Sequence, residues 1–286
     1  MELTLGITLA VLGAGLLHAS WNALLKSAPG GDALLDTATV VAGSALWGLA
    51  VVPFVPLPAV AAWPYMATSA AIHFGYYLTL AQAYRTGDLS FAYPLMRGSA
   101  PLLVALLGVA FLRELPTLPT ALGIMLISLG IVSIAFIGVQ GGRRKHPASA
   151  AYWAFANAAL IALYTLVDAT GARSSGNAAS YVSWLIFLEG IPFLVWVAAR
   201  RGRPAVRYLR DSAARGLIGG ACSLAAYGIV LWAMTRAPVA AVAALRETSV
   251  LFAALMGSLW LKEGFGLPRL AGAASVVAGI AALKLG

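Results

Sequence analysis

Cysteine occurs once in this chain of 286 residues, and histidine three times. A single Cys222 excludes an intrachain disulfide and argues against a thiolate metal centre. Charge is scarce too: Asp, Glu, Lys and Arg make up 10% of the residues, against roughly 25% in an average soluble domain. Hydrophobic residues fill 61% of the chain and mean hydropathy is +0.87. A water-soluble globule with that balance would expose large apolar patches, so the bilayer is the solvent that suits it. The amino-terminal "MELTLGITLAVLGAGLL" lacks the basic segment of a cleaved signal and reads as a retained first helix.

The charge that is present is lopsided, with a formal net of +9 and a pI near 10.0. Most of it sits in "ARRGRPAVRYLRDSAAR" (199–215) and "GGRRKHP" (141–147). Short basic connectors are where an integral membrane protein carries its positive-inside bias. They are expected to face anionic lipid and cytoplasm, and no nucleic-acid partner is expected.

A spanning helix needs about 20 mostly apolar residues. Ten stretches qualify: 3–25, 34–54, 63–84, 89–111, 118–138, 150–170, 180–198, 213–235, 238–260 and 267–284. Between them lie Pro/Gly turns and tight polar corners such as "SAPGGD", "RTGD" and "TRAP". Connectors this short leave no room for an extramembrane domain. The expected fold is an all-α integral membrane bundle of ten transmembrane helices. With ten spans, Lys26, Arg85, the trio 143–145 and the 200–215 cluster share one face. The charge rule then favours both termini outside.

Displacing the chain on itself by 149 residues aligns 97–131 with 246–280, with twelve of 35 positions identical. The matches include Arg97/Arg246, Glu114/Glu263, Gly108/Gly257, Gly123/Gly272 and Gly130/Gly279. Shared hydrophobicity would align leucines, but not an intramembrane arginine, a glutamate and three glycines in one ungapped frame. The chain therefore reads as two five-helix repeats, 1–140 and 141–286. An odd number of helices per unit inverts the second copy, and inverted repeats suit alternating access to a midplane site.

The segments "SAPLLVALLGVAFLRELPTLPTALGIMLISLGI" (99–131) and "TSVLFAALMGSLWLKEGFGLPRLAGAASVVAGI" (248–280) resemble the EamA-type transporters of the drug/metabolite transporter superfamily. They show a proline early in helix 4, a glycine before the helix end, an acidic residue at the exit and a glycine-patterned next helix. The resemblance implies ten helices and a secondary carrier of small molecules. It also implies a multi-pass protein of the cell (inner) membrane with no cofactor and no enzymatic activity. Two features depart from the pattern. Val250 stands where the first copy has Pro101, and family members keep both ends cytoplasmic, against the charge count.

Titratable side chains at membrane depth cost roughly 2.5–3.5 kcal/mol on insertion scales and default to functional candidates. Arg97 lies about nine residues into its span, roughly 13 Å deep, and Arg246 matches it. A guanidinium offers a fork of donors suited to a carboxylate. The structural alternative is an ion pair, with Glu247 beside Arg246 as one partner. Pro94 and Pro101 each remove a backbone donor near Arg97 and bend or loosen the helix.

Three aromatic and polar faces are further substrate-binding candidates. Trp153, Asn157, Tyr164 and Asp168 fall on one side of helix 6, lining a cavity or forming a polar seam. His18, Trp21 and Asn22 repeat the i, i+3, i+4 pattern that His73, Tyr76 and Tyr77 show in helix 3, and Tyr93 joins the set beside Arg97. Glu189, Glu247 and Asp168 are the candidates for proton coupling, either one of the glutamates alternatively pairing with an arginine. His18 and His73 lack acidic or thiol neighbours at ligand spacing, so no metal is expected.

These features favour a secondary transporter, exporting small polar metabolites such as amino acids or other carboxylated compounds. A cationic drug exporter is the alternative, opposed by the arginines. An intramembrane enzyme would need a nucleophile–base pair that is not in evidence. A non-transporting scaffold would have no need of buried arginines. The small residues of 270–283 suit internal packing or a dimer contact, so the expected state is a monomer or homodimer.

Overall fold

The computed structural model describes residues 2–26, 32–87, 89–137, 147–261 and 267–285, where all regular structure is helical. Twelve α-helices lie among the described residues. They are α1 (Leu5–Lys26), α2 (Ala33–Val51), α3 (Trp63–Thr86), α4 (Leu89–Leu107), α5 (Leu118–Ile137) and α6 (Ala148–Ser174). Then come α7 (Ala178–Arg201), α8 (Arg203–Asp211), α9 (Ala213–Met234), α10 (Val239–Arg246), α11 (Ser249–Leu261) and α12 (Leu267–Lys284). The boundary expected at 140/141 falls outside the described residues.

Local chemistry fixes the helix ends. Asp32 accepts from the amides of Leu34 and Leu35 to start α2, and Asn177 accepts from Ser180 to start α7. Gly202 closes α7 at φ 59°, its amide bonded to the Ala198 carbonyl. That left-handed turn favours glycine.

Among the described residues, six segments are long and apolar enough to cross a membrane: Leu5–Leu24, Leu34–Phe54, Phe91–Leu112, Ala148–Ser174, Ala178–Arg201 and Ala213–Met234. The other four expected spans are also helical. The 24 residues of α3 carry His73, four tyrosines and threonines, and a glutamine, which lowers its hydropathy. The helices α5 (Leu118–Ile137) and α12 (Leu267–Lys284) fall on the expected spans, with described apolar stretches at Leu118–Ile134 and Leu270–Lys284. The ninth stretch is not one helix, because α10 ends at Arg246 and α11 begins at Ser249.

The break falls in the copy that has Val250 where the first copy has Pro101. Through Pro94 and Pro101, α4 continues as a helix and then widens into a π-helical turn at Gly108–Leu112. The proline-free stretch is the one that breaks. At Glu247–Thr248 the backbone switches to i→i−3 bonds, and Thr248 Oγ1 donates to the Leu245 carbonyl at 2.8 Å. One missing amide is tolerable to a helix packed on both sides. At the break the Glu247 carboxylate meets both arginines.

Small residues set the closest contacts. A Cβ on Gly43 of α2 would overlap the Gly216 carbonyl of α9. Between α5 and α12, Gly123 faces Gly279 and Gly130 faces Gly272, a Cβ on each falling 2.8–2.9 Å from its partner's carbonyl oxygen. Numbers rise along one helix as they fall along the other, so the two run antiparallel. Ser275 Oγ donates to the Leu126 carbonyl at 2.8 Å in the same seam. Leu106, Phe111, Leu129, Val195 and Ile218 are exposed on the outside of the bundle, where acyl chains would solvate them.

Candidate functional site

Eight helices leave a cavity of about 180 Å³ between them. Its lining runs from the middle of each helix toward the end where α1 stops and α2 starts. Contributors include His18, Trp21 and Asn22 (α1), Thr37 and Ser44 (α2), and His73, Tyr76, Tyr77 and Tyr84 (α3). Tyr93 and Arg97 (α4), Asn157 and Tyr164 (α6), Glu189 (α7), Ser223 and Tyr227 (α9) and Arg246 (α10) complete the polar wall.

Arg97 and Arg246, 149 residues apart, meet on one carboxylate. Arg97 Nε lies 2.6 Å from Glu247 Oε2, while Arg246 Nε and Nη2 reach Glu247 Oε1 at 3.3 and 3.2 Å. All three residues are at most 5% exposed. Two guanidiniums against one carboxylate leave a net charge of +1 at membrane depth. Arg97 Nε and Nη2 and Glu247 Oε2 are buried with no aligned hydrogen-bond partner among the described residues, so Arg97 meets Glu247 as an ion pair through Nε and its Nη2 is left without an aligned acceptor. Burying a cation with a spare donor is expensive unless an anion completes it.

Glu189 does not pair with either arginine. Its Oε2 lies 3.2 Å from His73 Nδ1, which is also 3.0 Å from the Ser69 carbonyl and 3.1 Å from Ser69 Oγ. A proton on Nδ1 can serve one acceptor well. Glu189 Oε2 is left without an aligned donor among the described residues. The His73 ring stacks on Tyr164 at 4.2 Å, and Tyr76, Tyr77 and Tyr227 stand 6.2–6.4 Å from it.

The α1 group is tied to its own helix. Trp21 Nε1 donates to His18 Nδ1 at 3.3 Å, which puts the His18 proton on Nε2 because an indole can only donate. Asn22 Nδ2 donates to the His18 carbonyl at 2.7 Å. Asn157 Nδ2 reaches the Tyr76 carbonyl at 3.0 Å and Thr79 Oγ1 at 2.9 Å, while its Oδ1 is buried without a partner among the described residues.

Three expected site residues lie elsewhere. Trp153 packs beside Tyr152 and against the cluster of Ala83, Phe91 and Met96, away from the cavity lining. Asp168 is fully buried behind the wall, accepting from Tyr181 Oη at 2.9 Å and from Tyr227 Oη. Glu247 is likewise fully buried behind the arginines it bridges. Tyr84, Tyr227, Thr37, Ser44 and Ser223 were not expected as site residues and line the cavity. No three of His, Cys, Asp or Glu come together as a metal centre among the described residues.

At the opposite end of the bundle, Arg173 of α6 joins both halves of the chain. Its Nη1 meets Glu114 Oε1 at 2.7 Å, and Nε and Nη2 donate to the carbonyls of Met234 and Ala237. Glu114 Oε2 accepts from the Val239 amide at 2.8 Å.

Residues 148–285 match the EamA-like transporter family. A solved structure described only as "Crystal structure of protein" superposes with a TM-score of 0.76, covering 98% of each chain at 17% identity. At that identity the likeness concerns fold alone. No curated protein matches by sequence. The family match covers the second half of the chain, and with the apolar helices it supports an EamA/DMT-type membrane protein.

Proposed function

We propose that this protein is a secondary transporter of amino-acid-like zwitterions and related carboxylated metabolites, working by alternating access. The observation that carries the reading is a pair of complementary deficits in one cavity. The arginine pole has net charge +1 and a spare donor at Arg97 Nη2. The opposite pole has a spare acceptor at Glu189 Oε2. A solute carboxylate satisfies the first and an ammonium the second, with tyrosine rings enclosing the remainder. Export of such solutes is the direction we propose, from the cell across its (inner) membrane.

Ten spans arranged as two inverted repeats accommodate this mechanism. The α5–α12 seam supports that arrangement, since Gly123/Gly279 becomes Gly272/Gly130 when each residue is replaced by its counterpart 149 positions away. Leu126 and Ser275, themselves counterparts, bond to each other. Both facts are what a two-fold axis through an antiparallel crossing requires. Glu114–Arg173 then serves as the latch that keeps the far end shut while the cavity faces the near end. Glu189, beside His73, is our candidate for a coupled proton. Asp168 and Glu247 are occupied by tyrosines and arginines.

An organic cation is the second reading, favoured by Glu189 among tyrosines and opposed by the arginine pole. Counterflow in proteoliposomes separates them, using an amino acid, the same acid without its amino group, and the amine without its carboxylate. The proposal expects the amino acid to be exchanged fastest and the amine least. Preferred exchange of the amine refutes it.

A further inference from the structure

The end of α7, α8 and the start of α9 carry Arg200, Arg201, Arg203, Arg207, Arg210 and Arg215 with Asp211 as the one acid among them. Four of these arginines are engaged. Arg200 lies 5.5 Å over the Trp196 ring, Arg201 is 3.3 Å from Asp32, Arg210 is 3.6 Å from Asp211 and Arg215 is 3.7 Å from Asp36. Arg203 and Arg207 have no ion-pair partner among the described residues. They stand one turn apart on α8, so they share a face, and both are exposed.

The other face of α8 is committed to the bundle. Ala205 is fully buried, and Tyr208 and Leu209 pack with Leu35, Ala38, Phe193 and Val197. Tyr208 Oη donates to Asp36 Oδ1 at 2.7 Å, which holds the phenol above its usual pKa. These contacts fix the helix, so its free arginines are presented in a set direction. Because α8 joins the ends of α7 and α9, each long enough to cross a membrane, it lies at headgroup level. The fixed anions at that level are lipid phosphates, and a guanidinium fork matches them bidentately.

We propose that Arg203 and Arg207 form a binding site for the phosphate of an anionic phospholipid. The site is separate from the cavity, although Asp36, which anchors α8, immediately precedes cavity-lining Thr37 on α2. Each basic residue near an anionic surface contributes about five-fold in affinity, so the pair contributes about 30-fold at low salt.

Native mass spectrometry of the full-length protein in detergent, titrated with phosphatidylglycerol or phosphatidylcholine, tests this without reference to transport. The wild type should retain phosphatidylglycerol preferentially. The double variant Arg203→Gln/Arg207→Gln should lose up to about 30-fold of that retention with phosphatidylcholine unaffected. Arg236→Gln, at the other end of the bundle, should behave as wild type. Both arginines of the pair are exposed, so the helical circular dichroism should be unchanged. Equal retention by the double variant and wild type overturns the proposal, as does equal retention of the two lipids by the wild type.

Discussion

Replacing Arg246 by glutamine removes one of two positive charges that share a single carboxylate. Glu247 is then balanced by Arg97 alone, and the pole falls from +1 to neutral. Unit charges 4 Å apart interact by about 4 kcal/mol at an effective dielectric near 20. Charge-assisted hydrogen bonds are worth about 1.5–3 kcal/mol net. A loss of about 2–3 kcal/mol is therefore expected, raising the Kd of a carboxylate solute roughly 30- to 150-fold. Glu247→Gln should act in the opposite sense on the ligand and worse on the fold. It leaves two buried guanidiniums unneutralised, which costs about 3–5 kcal/mol of stability, while the folded fraction binds an anion no more weakly. Calorimetric titration with an amino acid that the wild type binds reads the first effect, and tryptophan-monitored melting reads the second. Unchanged affinity in a folded Arg246→Gln protein would refute the reasoning, because the arginines would then be purely structural.

Three further outcomes follow from the packing. Gly130→Leu inserts side chain where a Cβ already stands 2.9 Å from the Gly272 carbonyl, and should lower stability in a melt by at least about 1–3 kcal/mol. Asp168→Leu strands the hydroxyls of Tyr181 and Tyr227 at about 1–3 kcal/mol each. Asp168→Asn retains an acceptor and should melt much closer to wild type. Glu114→Gln weakens the latch, so a cysteine placed at Val239 in a Cys222→Ala background should be labelled faster by a soluble maleimide. Equal labelling of the two backgrounds would remove the latch from the mechanism.

Much of the candidate site can be read from sequence because its chemistry is out of place in lipid. Arg97, Arg246, Glu189 and the two histidines stand out in apolar spans, and all five line the cavity. Helical spacing adds Trp21, Asn22, Tyr77, Asn157 and Tyr164. The same reasoning fails at both ends of the helix 6 stripe. Residues 153 and 168 are about four turns apart, longer than the cavity is along that helix, so Trp153 and Asp168 fall beyond it. Tyr227 gives no signal because it stands alone among small residues in α9, and Thr37 and Ser44 because hydroxyls are ordinary in membrane helices. The broken ninth stretch is invisible for another reason: it coincides with the tertiary meeting of Glu247 with Arg97, which no local pattern encodes. Proline, the local signal, points to α4, and α4 stays whole.

Solute flux in proteoliposomes bears most directly on the central claim that the arginine pole recognises the transported carboxylate. Wild type and the folded Arg97→Gln/Arg246→Gln variant should be compared with the same amino acid at the same protein density. The account predicts robust wild-type exchange and near-background exchange in the variant. Equal exchange by both proteins would contradict it.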